Sequence, residues 1–304
     1  MMTRLIVARL VQSAAALLLV TLVVFSLVRL TGDPLNVILP EEATKEMYEA
    51  AARRLGIDQP LPVQYARYLG GLLQGNLGTS SQMRVAVSRL IAERFPATLE
   101  LGLVAIGLMV VVAIPLGLLA GYKRGGKLDT GIRVLALTGQ SIPQFWFGIL
   151  LILVVSVMLH WLPAGGRGNW SHLILPALTL ASIGCAGMIR LVRSSVLEVL
   201  ETDYIKVVRS KGMSESNVLF KHGLRNAAVP VLTFGGLMSA NLLTGSIVTE
   251  SVFGWPGLGR LVYDAIIARD FPVVQGVVLT MSAIYIAINF AIDVAYVYLN
   301  PRLR

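Results

Sequence analysis

The chain has 304 residues, of which 55% are hydrophobic and 14% charged, and its formal net charge is +9 at pH 7. Soluble domains carry about a quarter charged residues, so this composition excludes an ordinary soluble protein and indicates lipid as the main solvent. The basic residues lie between apolar runs without interleaved aromatics, so membrane topology explains them better than nucleic-acid binding. The single cysteine, Cys185, excludes an intrachain disulfide, and the scattered histidines argue against a metal site.

Six segments meet the requirement of about 20 apolar residues for a membrane-spanning helix. They are residues 10–30, 97–121, 134–159, 173–194, 227–249 and 272–297. The first follows Arg4 and Arg9, as in a signal peptide. Its uncharged run is longer than a usual signal sequence, however, and no A-x-A cleavage site follows, so we predict an uncleaved helix. The third contains Gly139 and Pro143 and is expected to be kinked.

These spans predict an all-α polytopic membrane protein. Helix 1 occupies residues 1–30, an extracytoplasmic segment follows at 31–95, the core domain covers 96–297, and 298–304 form a tail. Within the 31–95 segment, Glu41 to Leu55 has helical periodicity with Gly56 as a stop signal. The segment is interpreted equally well as a cap over the helices and as a docking surface for a soluble partner.

Orientation follows from the positive charges in the connections. The N-terminus, the 122–133 and 190–225 connections and the C-terminus carry 15 Lys and Arg, whereas the short connections on the other side carry only Arg167, Arg260 and Arg269. The positive-inside rule then places both termini in the cytoplasm.

The cytoplasmic loop at 196–228 has a structure of its own. Glu198 to Lys211 is predicted to form an amphipathic helix with Leu197, Leu200, Tyr204 and Val208 on one face. Gly212 is expected to end this helix in the left-handed conformation, and Ser214 to cap a second short helix.

This loop carries a pattern that resembles the coupling loop of bacterial ABC importer permeases, in particular the "B-type" permeases for dipeptides, oligopeptides and glutathione. Its parts are Asp203-Tyr204-Ile205, Arg209-Ser210-Lys211-Gly212, His222-Gly223-Leu224-Arg225-Asn226-Ala227 and Pro230-Val231. Similar motifs follow one another along the chain: Thr31-Gly32-Asp33-Pro34, Arg94-Phe95-Pro96-Ala97-Thr98-Leu99-Glu100, Val252-Phe253-Gly254-Trp255-Pro256-Gly257-Leu258-Gly259, Arg269-Asp270-Phe271-Pro272 and Asn300-Pro301-Arg302. The Glu-Ala-Ala of the general importer pattern is replaced by Lys206, Val207 and Val208, as in the peptide branch.

The resemblance implies the type I ABC importer permease fold in the bacterial inner membrane. It also implies four kinds of partner: two cytoplasmic ATPase subunits, a second homologous permease in a heterodimer, an extracytoplasmic substrate-binding protein and membrane lipid. The chain has no G-x-x-x-x-G-K-[ST] motif, so it is expected to be a transport subunit without an ATPase site, a catalytic residue or a cofactor.

The residues expected to couple to an ATPase are Glu201, Asp203, Tyr204, Lys206, Arg209, Lys211, Gly212, His222 and Arg225. The alternative is a solvated face or contact with anionic lipid. Three polar residues of the fifth span are candidates for lining a hydrated path, or for bonds between helices: Thr233, Asn241 and Thr244.

Other functions stay open at this point. Similar permeases carry nickel or other metal chelates. An ion-coupled secondary transporter would need a coupling-ion site, and the deep acid Asp293 is better interpreted as a structural partner of Arg190 or Arg193. Glu100, in the first turn of the second span, is also expected to be structural. An intramembrane enzyme is disfavoured because the spans hold no plausible catalytic pair.

Overall fold

The computed structural model describes residues 2–31, 44–224 and 228–299. These residues form helices joined by short connections, in the order α1 (Met2–Thr31), α2 (Lys45–Leu55), α3 (Leu61–Leu73), α4 (Val87–Tyr122), α5 (Lys127–Ser141), α6 (Gln144–Leu151, continued by a π-helix at Ile152–Met158), α7 (Ser171–Leu200), α8 (Asp203–Ser210), α9 (Glu215–Asn217, continued by a π-helix at Val218–Leu224), α10 (Ala228–Leu243), α11 (Ile247–Val252), α12 (Leu258–Ile267) and α13 (Phe271–Leu299). The all-α prediction is confirmed, since these ranges contain only an isolated bridge between Thr79 and Ala86 besides helices.

Four helices of the described chain are long and apolar enough to cross a membrane, and they lie at Ile6–Leu30, Val87–Tyr122, Ser171–Leu200 and Phe271–Val294. A fifth crossing results if α5 and α6 with its π-helix form one span. The predicted fifth span, 227–249, is a shorter apolar helix at Pro230–Leu243 that ends before α11. The predicted count of six spans is therefore not confirmed.

The predicted kink in the third span is present and large. Its two halves, Lys127–Ser141 and Gln144–Met158, meet at 105°. Ile142 is extended, with ψ 126°, as expected for a residue before proline, and Pro143 then stands at the N-terminus of α6, where its missing N–H costs little.

The described chain divides into two compact units, residues 1–98 with 256–304 and residues 99–255. In the first unit, α1 packs along α13, and Arg9 of α1 forms an ion pair of 3.5 Å with Asp293 of α13. The short helix α3 lies against α1, where Tyr65 shares a 2.8 Å hydrogen bond with Thr21. The start of α4, α12 and α13 enclose an apolar core of Val87, Ile91, Leu258, Leu261, Val262, Ala265, Val273 and Val277.

A buried carboxylate fixes one loop of this unit. Asp270, in the connection between α12 and α13, accepts a 2.5 Å hydrogen bond from the Ser80 hydroxyl and a 3.1 Å bond from the backbone N–H of Ser81. Asp270 and Ser80 are both buried. The connection between α3 and α4 is thereby tied to the loop before α13.

In the second unit, α7 is the central helix. It packs against α4, α5, α6 and α10, and most of its apolar side chains are buried. The approach to α4 is close, because a Cβ atom added at Gly117 would lie 2.6 Å from the Cβ of Val192. Only glycine fits at this crossing, so the backbones of the two helices come into direct contact.

Candidate functional site

The end of α7 turns sharply into α8. We predicted one helix over Glu198–Lys211, and this prediction is wrong, because α7 ends at Leu200 and α8 begins at Asp203. Thr202 between them is extended, and its hydroxyl bonds to the Val199 carbonyl at 2.7 Å. The break changes which side chains of α8 face inward.

The inward face of α8 consists of Ile205 and Val208, which pack with Val218 of the following π-helix. Tyr204, expected on this face, is instead 51% exposed. The physical reason is the non-helical residue pair at 201–202, which shifts the helical phase relative to an unbroken helix. The core of this segment is therefore small and local.

Gly212 forms the turn after α8. Its φ of +76° is in the left-handed region, as predicted, and its N–H donates to the Arg209 carbonyl at 3.0 Å. The guanidinium of Arg209 spans the turn and donates two hydrogen bonds, of 2.9 and 3.1 Å, to the carboxylate of Glu215. Helix α9 follows Ser214 as predicted, although the Ser214 side chain makes no capping bond.

Four of the remaining predicted coupling residues form pairs within this segment. The Tyr204 hydroxyl lies 2.6 Å from Nδ1 of His222, and Lys206 donates to Asp203 at 2.8 Å. Glu201 forms an ion pair with Arg124 in the turn after α4. Lys211 is exposed, and Arg225 lies outside the described residues.

Large apolar side chains are exposed around these charges. Four of them, each 39–60% exposed, lie on α8, on the turn after it and on the π-helix that continues α9: Tyr204, Val207, Met213 and Phe220. We call these four, with Asp203, Lys206 and Lys211, the elbow surface. Sequence reasoning missed Val207, Met213 and Phe220, although apolar residues in a charged loop and off its inward face were the signal for them.

A buried ion-pair network lies next to this segment. Asp129 is 1% exposed and accepts bonds of 2.6 and 2.8 Å from Arg193, and one of 3.0 Å from the backbone N–H of Gly125. Arg133 adds a contact of 3.3 Å. Sequence reasoning did not identify this network, and it assigned Arg190 or Arg193 to Asp293. That assignment is wrong, since Asp293 pairs with Arg9 and Arg193 with Asp129.

The three predicted path-lining residues lie on α10 or just after it. Asn241 is exposed and donates to the Leu237 carbonyl at 3.0 Å, and Thr244 donates to backbone carbonyls of its own helix. Thr233 is half-buried. Glu100, expected to be structural, accepts bonds of 2.6 and 3.0 Å from Arg167 in the connection between α6 and α7.

Long apolar helices, one of which leads into the exposed amphipathic elbow at residues 201–224, define this chain as a multi-pass membrane protein. Two family profiles match the chain: "Binding-protein-dependent transport system inner membrane component" over residues 113–304, and the N-terminal component of the same systems over residues 2–102. The chain belongs to the binding-protein-dependent transport system inner membrane component family. It is thus a multi-pass inner-membrane permease of an ABC importer and not an enzyme, and it works with an ATPase and a substrate-binding protein.

Curated relatives match over almost their whole length. The di/tripeptide transport system permease protein DppB of Pseudomonas aeruginosa is 41% identical over 94% of both chains. The glutathione transport system permease protein GsiC of Salmonella paratyphi A is 44% identical over 98% of both chains.

Among solved structures, the inward-facing MetNI methionine ABC transporter is similar, with a TM-score of 0.61 and 21% identity. The match covers 69% of this chain and 96% of the other. At this identity the similarity concerns the fold alone, and it supports the type I importer architecture predicted from the sequence.

Proposed function

We propose that this protein is a permease subunit of an ATP-driven, binding-protein-dependent importer of small peptides such as dipeptides, oligopeptides or glutathione. The observation that carries this proposal is the match, over nearly the full chain, to permeases named for di/tripeptides and for glutathione. Metal chelates and ion-coupled transport, which the sequence left open, are not favoured by these relatives.

The assembly we propose contains a second, homologous permease, two cytoplasmic ATPase subunits and an extracytoplasmic binding protein. Both chain termini lie in the cytoplasm, as the positive charges in the connections suggest. The elbow then lies in the cytoplasm, and the segment with α2 and α3 lies outside. The two permeases enclose the path of the peptide between them.

The elbow surface is the proposed contact with an ATPase subunit. A segment rigidified by its own small core and by the Arg209–Glu215 pair presents four large apolar side chains to solvent. Exposed apolar side chains among charges are typical of protein contact sites. Movement of an ATPase subunit would reach α7 directly, since only residues 201–202 separate α7 from α8.

We assign coupling roles to Glu201, Asp203, Tyr204, Lys206, Arg209, Lys211, Gly212, His222 and Arg225. Arg209 acts inside the elbow, where it stabilises the turn, and Tyr204 and Lys206 lie on its exposed side. Thr233, Asn241 and Thr244 are proposed to line the path, with exposed Asn241 as the strongest of the three.

The test is uptake of radiolabelled dialanine and glutathione by vesicles that contain the complete complex with its binding protein. Uptake should require ATP inside the cytoplasmic compartment. Phe220→Glu should reduce uptake at least about tenfold by placing a charge in a desolvated contact, whereas Met47→Glu, at an exposed apolar site of α2 outside the predicted spans, serves as a control for general damage. Uptake without ATP, or unchanged uptake in Phe220→Glu, would contradict the proposal.

A further inference from the structure

One stripe of α7 is polar at membrane depth. The exposed residues Arg190 and Ser194 are four positions apart and therefore lie on one side of the helix, in line with exposed Glu201 just beyond its end. We call Arg190, Ser194 and Glu201 the polar stripe. The stripe is an exposed part of a largely buried helix: 61% of the apolar stretch of α7 is buried, against 33% for α4.

The depth of Arg190 follows from the packing of α7 against α4. Close contacts join Gly117 to Val192 and Gly121 to Val196, so the two helices run side by side in the same direction. In this register Arg190 lies level with Pro115. At 1.5 Å per residue, that is about 10 Å before the end of α4 at Tyr122.

At the same depth α4 exposes only apolar side chains, namely Val110, Val111, Val112 and Leu119. This is the composition of a surface that faces lipid tails. The polar stripe differs, since it places a guanidinium and a hydroxyl where α4 has valine and leucine. Two exposed surfaces of one unit at one depth thus have opposite chemistry, and only that of α4 suits lipid.

Arg190 also differs from the other basic residues nearby. Arg193 is engaged with Asp129, and Arg124 with Glu201. Within the described ranges, Arg190 forms neither an ion pair nor a side-chain hydrogen bond. Charged residues inside membrane spans face a water-filled cavity or a charged partner, and they mark the path of a substrate.

We infer that the polar stripe of α7 lines the hydrated path and that Arg190 binds the carboxylate of the passing peptide. The guanidinium presents a planar fork that matches a carboxylate with two parallel hydrogen bonds. Every unmodified peptide carries a C-terminal carboxylate, so one arginine serves cargoes with different side chains. This inference rests on the proposed peptide-importing function.

The first experiment measures water access and charge at the stripe, without any transport. In the complete complex with Cys185→Ser, Ser194→Cys is treated with an anionic and a cationic methanethiosulfonate reagent. Arg190 lies one helical turn away, so the anionic-to-cationic rate ratio should fall about threefold to tenfold when Arg190→Gln is added. Val111→Cys on the apolar face of α4 should stay unreactive. A Ser194→Cys variant that neither reagent labels, or a ratio that Arg190→Gln leaves unchanged, overturns the inference.

The second experiment measures transport of dialanine and glutathione. Arg190→Gln should reduce uptake about tenfold, which is the effect of losing one charge-assisted hydrogen bond. Arg190→Lys should retain a larger fraction of wild-type uptake because it keeps the positive charge. Assembly and binding-protein-stimulated ATP hydrolysis should persist in both variants.

Wild-type uptake in Arg190→Gln overturns the inference, and so does loss of the second permease from that complex, which would make Arg190 a subunit contact. If wild type itself imports no peptide, the proposed function fails. The thiol-labelling ratio would still report separately on the hydrated stripe.

Discussion

Arg193 of α7 and Asp129 of α5 form a two-pronged ion pair, with nitrogen–oxygen distances of 2.6 and 2.8 Å. The carboxylate is almost completely shielded from solvent and also accepts the backbone N–H of Gly125 and a contact from Arg133. Because Gly125 lies in the turn after α4, this one carboxylate joins the end of α4, the start of α5 and the last third of α7.

Asp129→Asn is expected to destabilise the protein. The amide replaces an acceptor of several donors and leaves Arg193 and Arg133 as neighbouring positive charges. Breaking a buried pair costs about 3–5 kcal/mol, and the partial exposure of Arg193 reduces this to about 2 kcal/mol. Thermal unfolding of the purified complex measures the loss.

The matched control is Arg133→Gln, which removes the more exposed partner at 3.3 Å and should lower the melting temperature far less. Equal melting temperatures for wild type and Asp129→Asn would show that the network contributes no stability.

Gly212→Ala should impair transport more than stability. An alanine in the left-handed conformation costs about 1 kcal/mol, and relief of that strain would change the angle between α8 and α9. Gly212→Pro should act more strongly, since proline requires a negative φ. Both variants should insert into the membrane and lose ATP-driven uptake. For Gly212→Pro the loss should be about tenfold, the effect of losing one important interface contact.

Gly125→Ala provides the comparison for this variant. Gly125 has nearly the same φ, +75°, and open space around its Cα, but it lies in the turn after α4. Equal loss of uptake in Gly125→Ala and Gly212→Ala would refute a special role for the elbow turn.

Exchanging the charges of Arg209 and Glu215 tests whether this pair acts within the chain. Arg209→Glu places two carboxylates together across the Gly212 turn and should reduce uptake. Adding Glu215→Arg should restore most of it, because the bond across the turn forms again in the opposite sense. Exposed pairs contribute about 0.2–1 kcal/mol, so a double-mutant cycle on stability should give a coupling of that size. If the reversed pair transports no better than Arg209→Glu, then Arg209 acts on a partner instead.

Asp270→Asn is expected to loosen the connection between α3 and α4. The amide donates where the carboxylate accepted, so the bonds from Ser80 and from the Ser81 N–H are weakened, at a cost of about 1–3 kcal/mol. Limited proteolysis should cut residues 74–86 faster than in wild type. Asp264→Asn, which affects only an exposed contact with Arg260 within α12, should leave the cleavage rate unchanged. Identical cleavage in Asp270→Asn would show that the loop is held by other contacts.

The sequence located the four long apolar helices, because a long apolar run has few alternatives in a membrane, whereas the predicted fifth span is a shorter helix. It also predicted the kink before Pro143 and the left-handed Gly212, since both depend on the local backbone. The break at Thr202 was missed. Nothing in the amphipathic pattern indicated this break. The predicted unbroken helix therefore placed Tyr204 on the buried face, whereas the structure exposes it.

Pairings between distant residues were beyond the sequence alone. Asp129 and Arg193 are 64 positions apart, and Arg193 had several acids as candidate partners, of which Asp293 was chosen wrongly. The coupling residues were identified by resemblance, and the structure adds their apolar neighbours Val207, Met213 and Phe220. Apolar residues in a charged loop were the sequence signal for these three, and the structure shows that they stay exposed.

The missing side chain at Gly117 has a mechanical consequence. With Val192 seated directly on the α4 backbone, neither helix can slide along the other without a clash. Residues 99–122 of α4 and the second half of α7 therefore behave as a single strut. When these two helices move as one body, the bending has to occur elsewhere in the unit. The 105° bend at Ile142 and Pro143 is the hinge best suited to it.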